Sequence, residues 1–260
     1  MPAADRVRET TGAGATTVAA RRRRLRADQA RQLADLLRHQ ILTGRFPDGV
    51  LPHEESIGAD FRASRNTVRQ ALDLLRAEGL VQRKAGVGTT VCARKYPHAL
   101  DRLMGLAETL HEHGQVSNEV RTMGPVTAPA PVAERLGLPP DTDVLYIERL
   151  RRLGGLPLSL DLTYVPLDIG ERLLGSDLEH TDVFRLLELH TGQRLGHAEI
   201  TLEAVTADAH SAAVLQAPRG SAVLMLERLT HLADGRPVDL EFIRFRGDRI
   251  TMSGQLRRTH

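Results

Sequence analysis

Apolar residues in the first third of the chain recur at helical spacing. Leu33, Leu36, Leu37 and Ile41, with Gln40, fall on one stripe after Asp28 and stop at Gly44, which predicts a first helix. Ile57 and Phe61 give His53–Phe61 a short helical face. After the three-residue link Arg62–Ser64, the positions Val68, Ala71, Leu72 and Leu75 follow the i, i+3, i+4, i+7 pattern of a second face. Ser64 suits the N-cap of that helix and Gly79 its left-handed C-terminus. Two helices joined this tightly form a helix-turn-helix. Leu80 and Val81 then open a strand, which turns at a basic, glycine-containing tip (Lys84–Gly88) and returns to Val91 as a wing.

Further along, Leu100, Leu103, Met104, Ala107 and Leu110 predict one more helix before Gly114, and the pattern then changes to period 2. A short helix (Val132–Leu136) and a Pro-Pro-Asp turn precede two strands, Val144–Leu153 and Leu156–Val165, around Gly154-Gly155. Leu167–Leu174, Asp182–Thr191 and Asp208–Leu215 read as helices, the second with Val183, Leu186, Leu187 and His190 inward. Strands are expected at His197–Thr206, Val223–Leu232 and Val238–Arg246, the last two joined through Asp234-Gly235. Hairpin-linked strands interleaved with helices make an α+β domain with an antiparallel sheet.

Charge divides the chain where the pattern does. Residues 1–95 hold 18 Lys and Arg against 10 Asp and Glu, a net of +8; residues 96–260 hold 17 against 23, a net of −6. A basic head on an acidic body is the footprint of a nucleic-acid-binding module. The polar start of the second head helix supplies Ser64, Arg65, Asn66, Thr67 and Arg69, side chains of the types that bond phosphates and base edges, and the wing adds Lys84 and Gly86. Aromatic residues are 3% of the chain and tryptophan is absent, so the cores must be aliphatic. Cys92 alone excludes an intramolecular disulfide and reads as a small buried residue. The 11 histidines have no metal-site spacing, so neither metal nor cofactor is expected. No apolar run is long enough to cross a membrane and no signal peptide is evident, so a cytoplasmic protein is expected.

The head resembles the winged helix-turn-helix of the GntR family of bacterial transcription regulators, without a gap over nearly all of residues 29–92. The carriers are Phe46-Pro47-x-Gly49, Leu51-Pro52-x-Glu54, Ser64-Arg65-x-Thr67-Val68-Arg69, Glu78-Gly79-Leu80-Val81 and Gly86-x-Gly88-Thr89. The resemblance implies DNA contacts from Arg65, Thr67, Arg69 and Gly86. Relatives often carry an arginine where this chain has Glu55, so that contact is not carried over.

The body resembles, more loosely, the UTRA ligand-binding domain of the HutC-type branch, related in fold to chorismate lyase. Its carriers are Tyr146–Arg151, Gly155–Pro166, Asp182–Glu188 and Asp234–Arg249. The resemblance implies an effector pocket faced by Arg149 and Arg151, which period-2 spacing puts on one side of a strand, as clamping an anion requires. Asp161 and Glu241 are carried over to the same pocket. Relatives that bind amino-sugar phosphates have small hydroxyl residues near the phosphate and a tyrosine beyond. This chain has Ala107, Asp182 and Phe184 in those slots, which implies a different polar or acidic effector.

The expected organisation is a disordered basic tail (1–24) with the run Arg21–Arg24, a winged helix-turn-helix (25–92), a linker (93–100), an effector-binding and dimerising body (101–253) and a short tail (254–260). The expected function is a homodimeric, ligand-controlled repressor that reads a pseudo-palindromic DNA operator. The alternative is a lyase-like enzyme fused to a DNA-binding head, with Arg149 or Arg151 working beside Asp161 or Glu241. A purely architectural DNA binder would not need so large a body.

Overall fold

Two compact units divide the chain at Arg94/Lys95 in the computed structural model, which describes residues 11–92 and 95–258. In the head, α1 (Thr11–Leu42), α2 (Glu54–Asp60) and α3 (Arg65–Ala77) precede the wing strands β1 (Val81–Lys84) and β2 (Gly88–Val91). The three helices pack Leu33, Leu37 and Ile41 of α1, Ile57 of α2, and Val68, Leu72 and Leu75 of α3 into one aliphatic cluster with Leu51 and Val81. Burying each of these side chains contributes roughly 1.5–3 kcal/mol. Leu36 departs from the expected stripe: it is exposed, because Ala34 takes the inward position beside Leu33 and Leu37. A bidentate pair from Arg38 to Glu78 joins α1 to the end of α3.

Helix α3 begins and ends as its sequence dictates. Ser64 Oγ accepts from the Thr67 amide at 3.2 Å, and the Leu80 amide closes on the Leu75 carbonyl across Gly79, whose φ is +71°. Gly49, at φ +67°, turns the preceding chain onto the wing. There the Leu51 amide meets the Thr89 carbonyl at 2.9 Å and the Val91 amide meets the Gly49 carbonyl at 2.8 Å. The wing therefore has a third, bridging segment.

Three boundaries are corrected. Helix α1 already runs from Thr11, inside the segment expected as a disordered tail. The alanine, arginine and leucine content of 13–27 favours helix even without an apolar stripe. The side chains of Arg21–Arg24, and residues 1–10, lie outside the described residues. Part of the expected linker is a strand, β3 (Tyr96–Ala99), held parallel to β10 (Ile250–Ser253) with His98 buried. The helix expected from Leu100 shrinks to α4 (Leu106–Leu110), starting where the Gly105 amide donates to the Glu108 carboxylate. Cys92, expected buried, is exposed.

The body is built on a six-stranded antiparallel sheet. Its strands are β4 (Val116–Thr127), β5 (Asp143–Leu153), β6 (Leu156–Pro166), β7 (Leu195–Thr206), β8 (Ala222–Leu232) and β9 (Pro237–Arg246), in the order β4-β5-β6-β9-β8-β7. Gly154 and Gly155, at φ +58° and +79°, make the two-residue turn that fixes the β5–β6 register. One face is covered by α5 (Ala130–Arg135) against Val144, Leu229 and Leu240, and by Leu215, just after α8 (Ala209–Val214), against Leu150 and Leu160. The other face carries two apolar clusters. One packs under α6 (Leu167–Leu173) and α7 (Val183–Thr191), the other under α4 and β10. Between these clusters lies a belt of buried polar side chains. Among the described residues no helix is long and apolar enough to cross a membrane.

Candidate nucleic-acid interface and effector site

The seven residues expected at the DNA surface all lie at the start of α3 or on the wing, in two different roles. Arg65, Asn66 and Arg69 are exposed on α3, and Lys84 and Gly86 are exposed at the wing tip, where the Val87 amide returns to the Lys84 carbonyl at 3.1 Å. Gly86 sits at φ +75°, a conformation in which a side chain would be strained. Thr67, by contrast, is 5% exposed, and its hydroxyl bonds to Ser64 Oγ at 2.8 Å. These two side chains fix the start of the helix, and Thr67 offers little surface to a ligand. Glu54 lies beside the arginines: Arg69 Nε donates to its carboxylate at 2.9 Å, and Arg65 Nε lies 3.9 Å from it.

In the body, cross-strand register assembles the other site. Arg149 on β5 pairs with Asp161 on β6, Thr163 on β6 with Glu241 on β9, and Arg228 on β8 with Glu241 again. All six residues expected there (Arg149, Arg151, Asp161, Asp182, Phe184 and Glu241) converge on this belt. Arg151 donates to Asp161 and lies 3.7 Å from Asp182. Glu241 accepts from Arg228 Nε at 3.0 Å and from Thr163 Oγ1 at 3.3 Å. The Arg228 guanidinium sits 4.3 Å from the centre of the Phe184 ring.

Sequence reasoning missed Arg228, Asp239, Ser159 and His98. The signal was available: Arg228 and Thr230 before the Asp234-Gly235 turn, and Asp239 and Glu241 after it, repeat the period-2 spacing that singled out Arg149 and Arg151. Glu148 turns to the opposite face and bonds Arg121 and Tyr146.

Electrostatically the belt is crowded. Three guanidiniums face the carboxylates of Asp161, Asp182, Asp239 and Glu241. Arg149 is fully buried, and none of its guanidinium nitrogens has a hydrogen-bond partner; its nearest carboxylate oxygens lie at 3.7 and 4.0 Å. Asp239 Oδ1 and Asp182 Oδ2 are also unpartnered. Burial and the neighbouring Glu241 charge hold the Asp239 carboxyl well above the usual carboxylate range. Burial works the other way on His98, where the arginines at 228 and 151 reinforce it and push the imidazole down to about 4. His98 Nδ1 bonds Thr109 Oγ1 at 2.9 Å.

The belt itself encloses almost no free volume. Beside it a cleft of about 240 Å³ opens between residues 98–104 and the β7–β8 edge, and His98, Leu226 and Arg228 line both spaces. No group of three or more potential ligands that could hold a metal ion occurs among the described residues.

The comparisons with known proteins divide at the same point as the two units. Residues 29–91 match the family model described as bacterial regulatory proteins, gntR family, and residues 111–251 match the UTRA domain model. The HTH-type transcriptional regulator Rv0792c of Mycobacterium tuberculosis is 32% identical over 234 residues, covering 88% of this chain and 86% of that protein. The HTH-type transcriptional repressor NagR of Bacillus subtilis is 28% identical over 222 residues, covering 85% and 91%. The crystal structure of PhnF from Mycobacterium smegmatis shares the fold, with a TM-score of 0.64 and 24% identity over 87% of this chain and all of that one. Rv0792c and NagR are named as a transcriptional regulator and a transcriptional repressor, which decides against the enzyme alternative. The chain belongs to the GntR family of bacterial transcription regulators, in the HutC-type branch that joins a winged helix-turn-helix to a UTRA effector-binding domain.

Proposed function

We propose that the chain is a cytoplasmic, homodimeric repressor whose grip on a pseudo-palindromic operator is controlled by a small polar or acidic effector held at the buried belt. Each recognition helix presents Arg65, Asn66 and Arg69 to base edges and phosphates, with Lys84 and Gly86 of the wing following the backbone. Two such heads suit half-sites about one helical turn apart. Repression is supported by the likeness to NagR, named as a repressor.

The observation that carries the effector reading is Arg149. A buried guanidinium without hydrogen bonds costs stability, and such strain is retained where function uses it. Arg149, Asp182 and Asp239 together leave donors and acceptors open for a ligand that enters from the neighbouring cleft and parts the belt. Binding that favours one state of the body over another shifts operator affinity by the ligand's differential affinity for the two.

The test is binding of the full-length protein to its own upstream DNA at two salt concentrations, with unrelated DNA as competitor, followed by a metabolite screen for release. The expected result is specific binding that survives competitor, with Arg149→Met binding DNA normally but no longer responding to the releasing compound. Equal salt-dependent loss from both DNAs would reject the operator; full response in Arg149→Met would reject the site.

A further inference from the structure

Asp182 occupies an unusual position in the belt. One carboxylate oxygen, Oδ1, caps α7 by accepting from the Phe184 amide at 3.2 Å. The other, Oδ2, has no hydrogen-bond partner although the side chain is only 8% exposed; it points toward Arg151, whose Nη1 is 3.7 Å away. It rests on the backbone at Gly105, where any Cβ would overlap the carboxylate. The residue at 105 must therefore lack a side chain for the Asp182 carboxylate to reach this place. Burial opposes its charge, but Arg151, Arg149, the Phe184 amide and Arg228 together hold its carboxyl below the usual carboxylate range.

We infer that Asp182 is a built-in anion: it fills the position beside Arg151 that an anionic group of a ligand would otherwise take, and so restricts the effector to molecules that carry no phosphate there. This rests on the reading of the belt as the effector site and narrows its ligand class. The three guanidiniums already face the carboxylates of Asp161, Asp182 and Glu241, while burial favours the neutral form of Asp239, so a further dianion meets no uncompensated positive charge. The open groups are the Arg149 donors and the acceptor oxygens of Asp182 and Asp239. They suit a neutral or zwitterionic molecule that both accepts and donates hydrogen bonds, such as a polyol or an amino acid.

Asp182→Ser separates this from a general effect on the pocket. Serine keeps an oxygen for the α7 cap while removing the charge and freeing space on Gly105. The probe is inorganic phosphate, titrated by calorimetry into full-length wild type, Asp182→Ser and Asp182→Ser/Arg151→Met. Wild type is expected to give no binding heat. Asp182→Ser is expected to gain phosphate affinity by roughly tenfold or more over wild type, and the double variant to lose that gain.

Asp182→Thr likewise keeps an oxygen for the cap while removing the charge and opening the position beside Arg151, so it serves if the serine variant does not fold, and it should move the same way. No gain in either variant overturns the inference, as does wild type binding phosphate equally well, or a gain that survives loss of Arg151. The effector site itself stands or falls separately, on whether Arg149→Met abolishes operator release.

Discussion

Arg69 Nε donates to Glu54 Oε2 at 2.9 Å, so a carboxylate of α2 holds an arginine of the recognition helix while 51% of that arginine side chain stays exposed. The bond aims a side chain that would otherwise sample many rotamers, and under the proposed DNA-binding role it is exchanged for a phosphate or base contact. Arg69→Ala is expected to weaken operator binding by roughly 1–3 kcal/mol and to relax specificity at one position, if it reads a base. Lys84→Ala should instead weaken binding to all sequences alike and lower the salt slope by about 1, as loss of a phosphate contact does. Fluorescence anisotropy across a salt series measures both. An Arg69→Ala protein with unchanged operator affinity at fixed salt would remove that residue from the interface.

How much of this was legible in the sequence depended on whether the signal was local. Helix α3, its Ser64 cap, its Gly79 terminus and the wing follow from spacing within a single segment, and the structure places them within a residue or two. Arg149 and Arg151 could be paired because they lie two apart on one strand. Arg228 with Thr230, and Asp239 with Glu241, show the same two-residue spacing, but only the register between β8 and β9 brings the two strands' polar faces to one site. Strand β4 went unnoticed because an edge strand with one wet face has few apolar residues to alternate: its positions are exposed or half-buried throughout. The burial of Thr67 was likewise invisible, since a threonine at the third position after a cap suits either the cap or the groove.

The belt predicts an asymmetry between two of its charges. Glu241 is the hub, accepting from Arg228 and Thr163 and lying within 4 Å of Arg149 and Arg151. Glu241→Gln leaves those guanidiniums short of countercharge and is expected to cost roughly 3–5 kcal/mol. Arg149→Met removes a charge that makes no hydrogen bond, and leaves Asp161 with Arg151 and Glu241 with Arg228. Its cost should stay within about 1 kcal/mol, or reverse sign. Urea denaturation of the two variants ranks them, and equal losses would contradict the asymmetry.

Acid should weaken the body through His98. Its folded pKa, pushed down to about 4, lies below the ordinary 6.5, so the unfolded chain takes up the proton more readily. The stability it contributes is fully present above about 6.5 and is lost as pH falls toward 4, by roughly 3 kcal/mol across the window. Lowered carboxylates such as Asp182 lose their contribution only at lower pH, below their ordinary range. His231, also held down by burial and by His197, titrates in the same direction as His98, so the readout is a difference between proteins. Melting temperature measured from pH 7 to 4.5 should fall less steeply in His98→Gln than in wild type. Parallel curves would mean that His98 is not the responsible group.

Gly170 sets two opposing effects against each other. It lies inside α6, where glycine is unfavourable and replacement by alanine would ordinarily gain about 1 kcal/mol. Here a Cβ would stand 2.5 Å from the Cβ of Leu145, a fully buried residue of β5. A neighbour's Cβ cannot swing away, so helix and strand must separate, and overpacking of this kind costs typically about 1–3 kcal/mol. The clash outweighs the gain in helix propensity, and Gly170→Ala is expected to destabilise. The cause can be isolated: Leu145→Ala alone opens a cavity costing roughly 2–5 kcal/mol. In the double variant, removing the rest of the Leu145 side chain lets the strand shift, so the combined loss should be smaller than the two single losses added. Additive losses would place the cost of Gly170→Ala somewhere other than this contact, and a stabilised Gly170→Ala protein would mean that helix propensity, not packing, governs the position.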